Sequence, residues 1–117
     1  MAYADVYLVP LPKKNIAAYK KMALVGKKTW MKCGALQYFE TVGDELKMPW
    51  GLPFSKPLKL KAGETVVAAW VLYKSKAHRI AVNKKVYADP IMHSIPKKMP
   101  FDAKRMVVGG FKVLVSG

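Results

Sequence analysis

The stretch from Glu64 to Pro90 limits the possible folds more than any other part of the chain. Thr65 to Tyr73 is almost continuously apolar and rich in Val and aromatic residues, the pattern of a strand covered on both faces. At Lys74-Ser75 the pattern changes to a helical period. The Ser75 hydroxyl suits an N-cap, where it accepts from a free amide of the first turn. The spacing predicts a helix over 76–88 whose packing stripe is Ala77, Ile80, Ala81 and Ala88. Asp89-Pro90 ends it, because the residue before a proline is pushed out of the helical region.

The first half of the chain holds a matching unit. Residues 3–10 alternate as a strand, with Ala4, Val6 and Leu8 on one face and Tyr3, Asp5, Tyr7 and Val9 on the other. Pro10 and Pro12 are expected to end it, since proline donates nothing to a ladder. Residues 15–33 read as a helix that buries Ile16, Tyr19, Ala23, Trp30 and Cys33, with Gly34 as its left-handed terminator. Residues 35–42 form a strand with no cleanly apolar face, which suits a sheet edge. A long proline-rich loop follows at about 44–63, carrying Trp50, Leu52 and Phe54, and is expected to lie across the sheet edge or a partner. A connection over 90–103, with a helical turn near Met92, leads to a last strand over 104–115. Gly109-Gly110 in that strand suits a bulge or a close backbone approach.

The order β-α-β-β-α-β predicts an α+β, ferredoxin-like split unit with a four-stranded, otherwise antiparallel sheet whose first and third strands lie parallel in the centre. Two helices cover one face of such a sheet. The first and third strands are apolar on both faces, so the open face is expected to meet a second copy, giving a homodimeric α/β barrel.

Composition narrows the function. The 117 residues fit one domain, 1–117, and 52% hydrophobic content argues against disorder. Lys plus Arg is 21 against 7 acids, a net charge of +14, and all but Arg79 and Arg105 of the basic residues are lysine. Lysine pairs at Lys13-Lys14, Lys20-Lys21 and Lys27-Lys28 recur every seven residues on one side of the first helix, a candidate surface for polyanions. Base-specific reading leans on bidentate arginine, so nucleic-acid binding here would be nonspecific. The third strand also lacks the Lys/Arg-Gly-Phe-Gly-Phe type of motif by which RRM domains stack bases. The single cysteine, Cys33, excludes an intrachain disulfide and agrees with a reducing compartment. No basic leader precedes the first strand and no apolar run approaches the ~20 residues of a membrane span, so the expectation is a cytoplasmic protein with no membrane partner.

Asp5 is the leading candidate for chemistry. A carboxylate inside a strand, between two tyrosines, becomes a general base if its face lines a cavity; otherwise it is a structural partner of Arg105, a tyrosine or the backbone. Glu40 is a second strand carboxylate and, with Arg105, a candidate ligand contact. His78, in the first turn of the second helix, is the candidate proton shuttle. Tyr7, Tyr38, Trp70 and Phe111 are expected to share the wall of a cavity for a small flat organic ligand, or else to fill a dimer core. His78, His93 and Cys33 lack the acidic neighbours of a metal site. No phosphate loop or nucleophile elbow occurs, and no cofactor is expected.

Several stretches together resemble the YbaA-like family of domains of unknown function. They are Val-Pro-Leu-Pro-Lys-Lys-Asn (9–15), Gly-Ala-Leu-Gln-Tyr (34–38), Lys-Ala-Gly-Glu-Thr-Val-Val (61–67), Trp70, Tyr-Lys-Ser-Lys-Ala-His-Arg (73–79), Met-Pro-Phe-Asp-Ala-Lys-Arg-Met (99–106) and Gly-Gly-Phe (109–111). The resemblance covers nearly the whole chain. It implies the dimeric α/β-barrel superfamily and a homodimer, and it carries no established catalytic residues. Three functions stay open: a small-molecule-binding protein or cofactor-independent enzyme with Asp5 as base, a nonspecific polyanion binder, and a structural dimer.

Overall fold

The computed structural model describes residues 1–117. In chain order the elements are β1 (Tyr3–Pro12), α1 (Ile16–Lys32) after a 3-10 turn at Lys13–Asn15, β2 (Gln37–Val42), β3 (Glu64–Tyr73), α2 (Lys76–Ala88), 3-10 turns at Pro90–Ser94 and Ala103–Arg105, and β4 (Val107–Lys112). The β-α-β-β-α-β order is the expected one, and the sheet runs β2-β3-β1-β4.

Two expectations about the sheet are corrected. β1 and β3 are antiparallel, with Tyr3 opposite Tyr73 and Pro12 opposite Glu64, so the whole sheet is antiparallel. Each helical crossover passes over an intervening strand: α1 carries the chain from β1 across β3 to β2. The parallel pairs are therefore next-nearest neighbours. The barrel is also not what forms. The sheet is open, and its outer strands β2 and β4 are each paired on one side only.

Local chemistry explains the boundaries. β1 continues through Pro10 and Leu11 to Pro12 instead of ending at Pro10, because β4 pairs only as far as Leu8 and the prolines lie where one side of β1 is free. Helix α1 ends in a Schellman motif: Gly34, at φ 112°, donates to the Met31 carbonyl and Ala35 donates to that of Trp30. The Ser75 hydroxyl accepts from the His78 amide and starts α2 at Lys76, a cap that contributes about 1 kcal/mol. The segment between β2 and β3 contains only turns and leaves Trp50 and Leu52 each 72% exposed. The β4 register is unbroken, so there is no bulge; Gly110 instead admits the Tyr3 ring, which a Cβ there would strike.

The register assigns each strand residue a face. Asp5, Tyr7, Val9 and Leu11 share the helix-covered side with Thr65, Val67, Ala69, Val71 and Tyr73, and with Tyr38 and Glu40 of β2. Two adjoining cores form there. Val9, Leu11, Val67 and Ala69 pack with Tyr19 of α1; Val71 and Tyr73 pack with Ala35 and with Val82 and Val86 of α2. Helix α2 thus buries Val82 and Val86, and the expected stripe of Ala77, Ile80, Ala81 and Ala88 is exposed. Of the stripe expected on α1, Tyr19 is buried and Ile16 is exposed. The other sheet face is helix-free. β3 is therefore covered along its helix side; on the other it is buried at Val66 and half-exposed at Trp70 and Leu72, where Trp70 stacks on Phe39 at 4.9 Å.

Candidate functional site

Two strand carboxylates face the helices, and their surroundings differ. Asp5 is 1% exposed. Its neighbour is Arg79 of α2, whose Nε donates to Oδ2 at 3.0 Å and lies 2.8 Å from Oδ1. The N–H points at Oδ2, so Oδ1 is close to the cation but has no hydrogen bond of its own. The Tyr73 hydroxyl lies 3.2 Å from Asp5 Oδ2 and 3.1 Å from Asn83 Oδ1. A phenol has one proton to give, so it serves one of these oxygens at a time. The Trp30 indole donates to the same Asn83 oxygen, and the Arg79 guanidinium lies over the Tyr3 ring at 5.6 Å. Hydrogen bonding to Asp5 raises the Arg79 pKa, and burial followed by the Asp5 charge raises that of Tyr73. The network ties α2 to β1 and β3.

Glu40 has a different environment. The Tyr38 hydroxyl donates to Oε2 at 2.6 Å and the Tyr19 hydroxyl to Oε1 at 2.7 Å. No cation pairs with it, since the ion pairs of the chain are Lys32–Asp89, Arg79–Asp5 and Arg105–Glu64. Burial first, and then the bond to Glu40, holds both tyrosines well above the usual phenol range. Gly26 of α1 makes room: a Cβ there would stand 2.7 Å from the Tyr38 hydroxyl.

Cavities lie on both sides of this tyrosine–glutamate–tyrosine cluster. One, of about 300 Å³, opens between α1 and β2, with Leu11 and Val67 as floor, Ile16, Ala23 and Leu24 as helix wall, and Lys20 and Lys27 at its rim. The other, of about 270 Å³, lies over the middle of the sheet. Tyr7, Val9, Ala69 and Val71 form its floor, and Trp30, Tyr87, Met99, Phe101 and Met106 its walls. The two share three lining residues: Tyr19, Tyr38 and Glu40. Tyr7 makes no hydrogen bond, and its pKa is raised by burial and then by the Asp5 charge. Each carboxylate oxygen of Glu40 accepts one tyrosine hydrogen bond and keeps further acceptor capacity. The arrangement is an acceptor among aromatic and aliphatic surfaces.

The structure brings together some of the expected site residues and separates others. Tyr7, Tyr38 and Glu40 line the cavities. Trp70 and Phe111 lie on the opposite face of the sheet, in register with Val6 and Ala4, so the expected four-residue wall does not form. Asp5 lines neither cavity. Its counter-ion is Arg79, not Arg105, which makes a two-pronged pair with Glu64 at 2.7 and 2.9 Å and also donates to the Lys59 carbonyl. Hydrogen bonding from Arg105 holds the Glu64 carboxyl below its usual range. The His78 ring accepts from the Lys74 amide and meets the Tyr73 ring edge-on at 6.1 Å, which makes it part of the α2 start. Lys13, Lys14, Lys20, Lys21, Lys27 and Lys28 are all exposed. No three of the His, Cys, Asp and Glu side chains come together, and no helix is long and apolar enough to cross a membrane. Tyr19 and Gly26 were missed as site residues. A glycine inside an amphipathic helix was the available signal, because it marks a close approach.

An open antiparallel sheet with two helices on one side and tyrosine-bound glutamate beneath them defines an α+β domain of the ferredoxin-like class. Residues 2–103 match the family described as "Protein of unknown function (DUF1428)", and the chain belongs to that family. It is 34% identical over 115 residues to the "Uncharacterized protein YbaA" of Escherichia coli K12, with 98% of each chain covered, and equally to the proteins of that name from Escherichia coli O157:H7 and Shigella flexneri. The YbaA-like resemblance is thereby established, and its barrel assembly is replaced by the open sheet described above.

Proposed function

We propose that the protein binds a small organic molecule beside Glu40, between α1 and the sheet, with Glu40 as the group that accepts a hydrogen bond or a proton from the ligand. One observation carries this: Glu40 has no cationic partner, is held by tyrosine hydroxyls alone, and borders both cavities. Glu40 therefore takes the role that the sequence assigned to Asp5. Tyr38 and Tyr19 orient the carboxylate, and Tyr7 supplies an unpaired hydroxyl in the second cavity. Cavities of this size and apolar lining suit a ligand of modest size with one or two polar groups. Ligand-observed NMR with small phenols tests the idea. Binding is expected in the parent and in Asp5→Asn, and loss in Glu40→Gln; the reverse order among the two variants defeats it.

Two partner surfaces accompany this site. The exposed lysine pairs of α1 form no ion pair and favour loose association with polyanions. RNA or DNA retention should fall steeply with salt, and no retention at low salt removes that role. The strands of the helix-free face carry Val6, Leu8, Phe39, Trp70, Leu72, Val107 and Phe111 there, and the only charged strand residue on it, Glu64, is taken by Arg105. In a chain of net charge +14 it is the surface on which a second copy could approach without like-charge repulsion. Sedimentation that shows only monomer at micromolar concentration eliminates this partner.

A further inference from the structure

The rim of the α1–β2 cavity specifies the ligand more closely, and we infer that it takes an organic acid: an aryl or branched alkyl carboxylate that carries a neutral donor, a hydroxyl, at its far end. This ligand class presupposes the binding site beside Glu40. It adds a second recognition point, made by Lys20 and Lys27.

Lys20 and Lys27 are the cations among the residues lining this cavity. They are seven residues apart, so they project from the same side of α1, separated by about 10 Å along the axis. Glu40 sits opposite the interval they bracket. Its Oε1 is held by Tyr19, and its second tyrosine, Tyr38, reaches the helix at Gly26. The cavity thus offers unpaired positive charge at the rim, Ile16, Ala23, Leu24 and Val42 along the walls, Val67 at the floor, and a hydrogen-bond acceptor within. Neither lysine has an acidic partner, and α1 contains no acid at all.

Each part excludes ligands. A molecule with a carboxylate at both ends meets Glu40 with like charge. A simple hydrocarbon leaves the acceptor unserved. A cation is repelled at the rim. The complement is a molecule with an anionic head, an apolar body and a donor tail, its head bound by charge-assisted hydrogen bonds that are individually stronger than neutral ones. The lysine pairs seen in the sequence as a polyanion surface thereby divide. Lys20 and Lys27 belong to the cavity, and their sequence neighbours Lys21 and Lys28 line neither cavity.

Three probes separate the two ends: para-hydroxyphenylacetate, its methyl ester, and phenylacetate. Isothermal titration and ligand-observed NMR on the full chain at neutral pH measure each. Para-hydroxyphenylacetate should bind tightest, and the ester should be weaker by about tenfold through loss of a charge-assisted contact. Lys20→Gln/Lys27→Gln should weaken the acid by a similar factor and leave the ester unchanged. Lys21→Gln/Lys28→Gln removes equal charge from the same helix and should leave both unchanged. An ester that binds as well as its acid, together with no effect of Lys20→Gln/Lys27→Gln, overturns the acid class and leaves the Glu40 site standing. Equal loss in the two lysine doubles assigns the effect to the general field of the protein and overturns it as well. Failure of all three probes, or binding that Glu40→Gln does not alter, overturns the Glu40 site and this inference with it.

Discussion

Asp5 and Glu40 occupy comparable places: each lies in a strand, on the helix-covered face, with a tyrosine hydroxyl against it. They differ in what neutralises them and in what surrounds them. Asp5 has Arg79 and close-packed neighbours. Glu40 has two phenols and a cavity on either side. A carboxylate matched to a guanidinium fastens α2 to the sheet. A carboxylate left without a counter-ion, beside open volume, stays available to something else.

The largest expected effect breaks the Asp5 side. Arg79→Met leaves a buried carboxylate without its cation and should lower unfolding free energy by about 3 kcal/mol, read from urea denaturation. Adding Asp5→Leu to Arg79→Met should recover most of that loss, because a buried ion pair replaced by apolar groups is often near neutral. If Arg79→Met alone is harmless, Asp5 is not held by this pair, and the contrast with Glu40 collapses.

The next effect falls on the Glu40 side. In an exposed helix, Gly26→Ala should stabilise by about 1 kcal/mol through helix propensity. Here the new methyl would meet the Tyr38 hydroxyl at 2.7 Å. The tyrosine must leave Glu40, and overpacking should turn the gain into a net loss of about 1–2 kcal/mol. Tyr38→Phe in the same background should relieve part of it. A stabilised Gly26→Ala would show that Tyr38 moves freely and that the cluster is loosely held.

These two regions were not equally legible in the sequence. The β3–α2 unit was, since an apolar run, an N-cap serine and a helical period all occur within local sequence. The buried side of α2 was not. Its stripe contains Arg79 and Asn83 beside Val82 and Val86, and those polar residues turn inward, half-buried, because their partners are Asp5 and Trp30, 74 and 53 residues away. The competing stripe of Ala77, Ile80, Ala81 and Ala88 carried as much apolar character and no information about partners. Pairing register decided the cavity wall. Tyr7 and Asp5 share a face by parity within β1, but whether Trp70 joins them depends on Val71, not Trp70, standing opposite Asp5. The apolar second face of β1 and β3 was readable, and the barrel inferred from it went beyond what a single open sheet forms.

Alkaline titration sharpens the comparison further. Tyr7, Tyr19, Tyr38 and Tyr73, four of the six tyrosines, have pKa values raised by burial, with Glu40 second for Tyr19 and Tyr38 and Asp5 second for Tyr7 and Tyr73. A phenol whose folded pKa exceeds its unfolded value of about 10 adds stability below that pH and loses it as pH rises beyond. Tyrosinate absorbance should therefore show these four resisting ionisation until the chain unfolds. Glu40→Gln should ease ionisation mainly at Tyr19 and Tyr38, and Asp5→Asn mainly at Tyr7 and Tyr73. Equal shifts in both variants would mean that the two carboxylates do not act on separate neighbourhoods.

The smallest effect on stability is expected from Glu40→Gln. The amide keeps the shape of the carboxylate and retains one good acceptor. It loses the charge that strengthens the second tyrosine bond, and its NH2 must turn toward a phenolic oxygen, which can accept. A hydrogen bond to a charged group exceeds a neutral one by about 1 kcal/mol, so the variant should lose no more than that at neutral pH. No buried cation is stranded, because none is paired with Glu40, and this separates it from any change at the Asp5–Arg79 pair. Chemical denaturation and ligand titration on one preparation decide the matter. Little change in stability with binding abolished marks Glu40 as a group kept for its ligand. A loss of stability comparable to that of Arg79→Met would make Glu40 a structural carboxylate like Asp5, and the difference between the two sites would be one of packing alone.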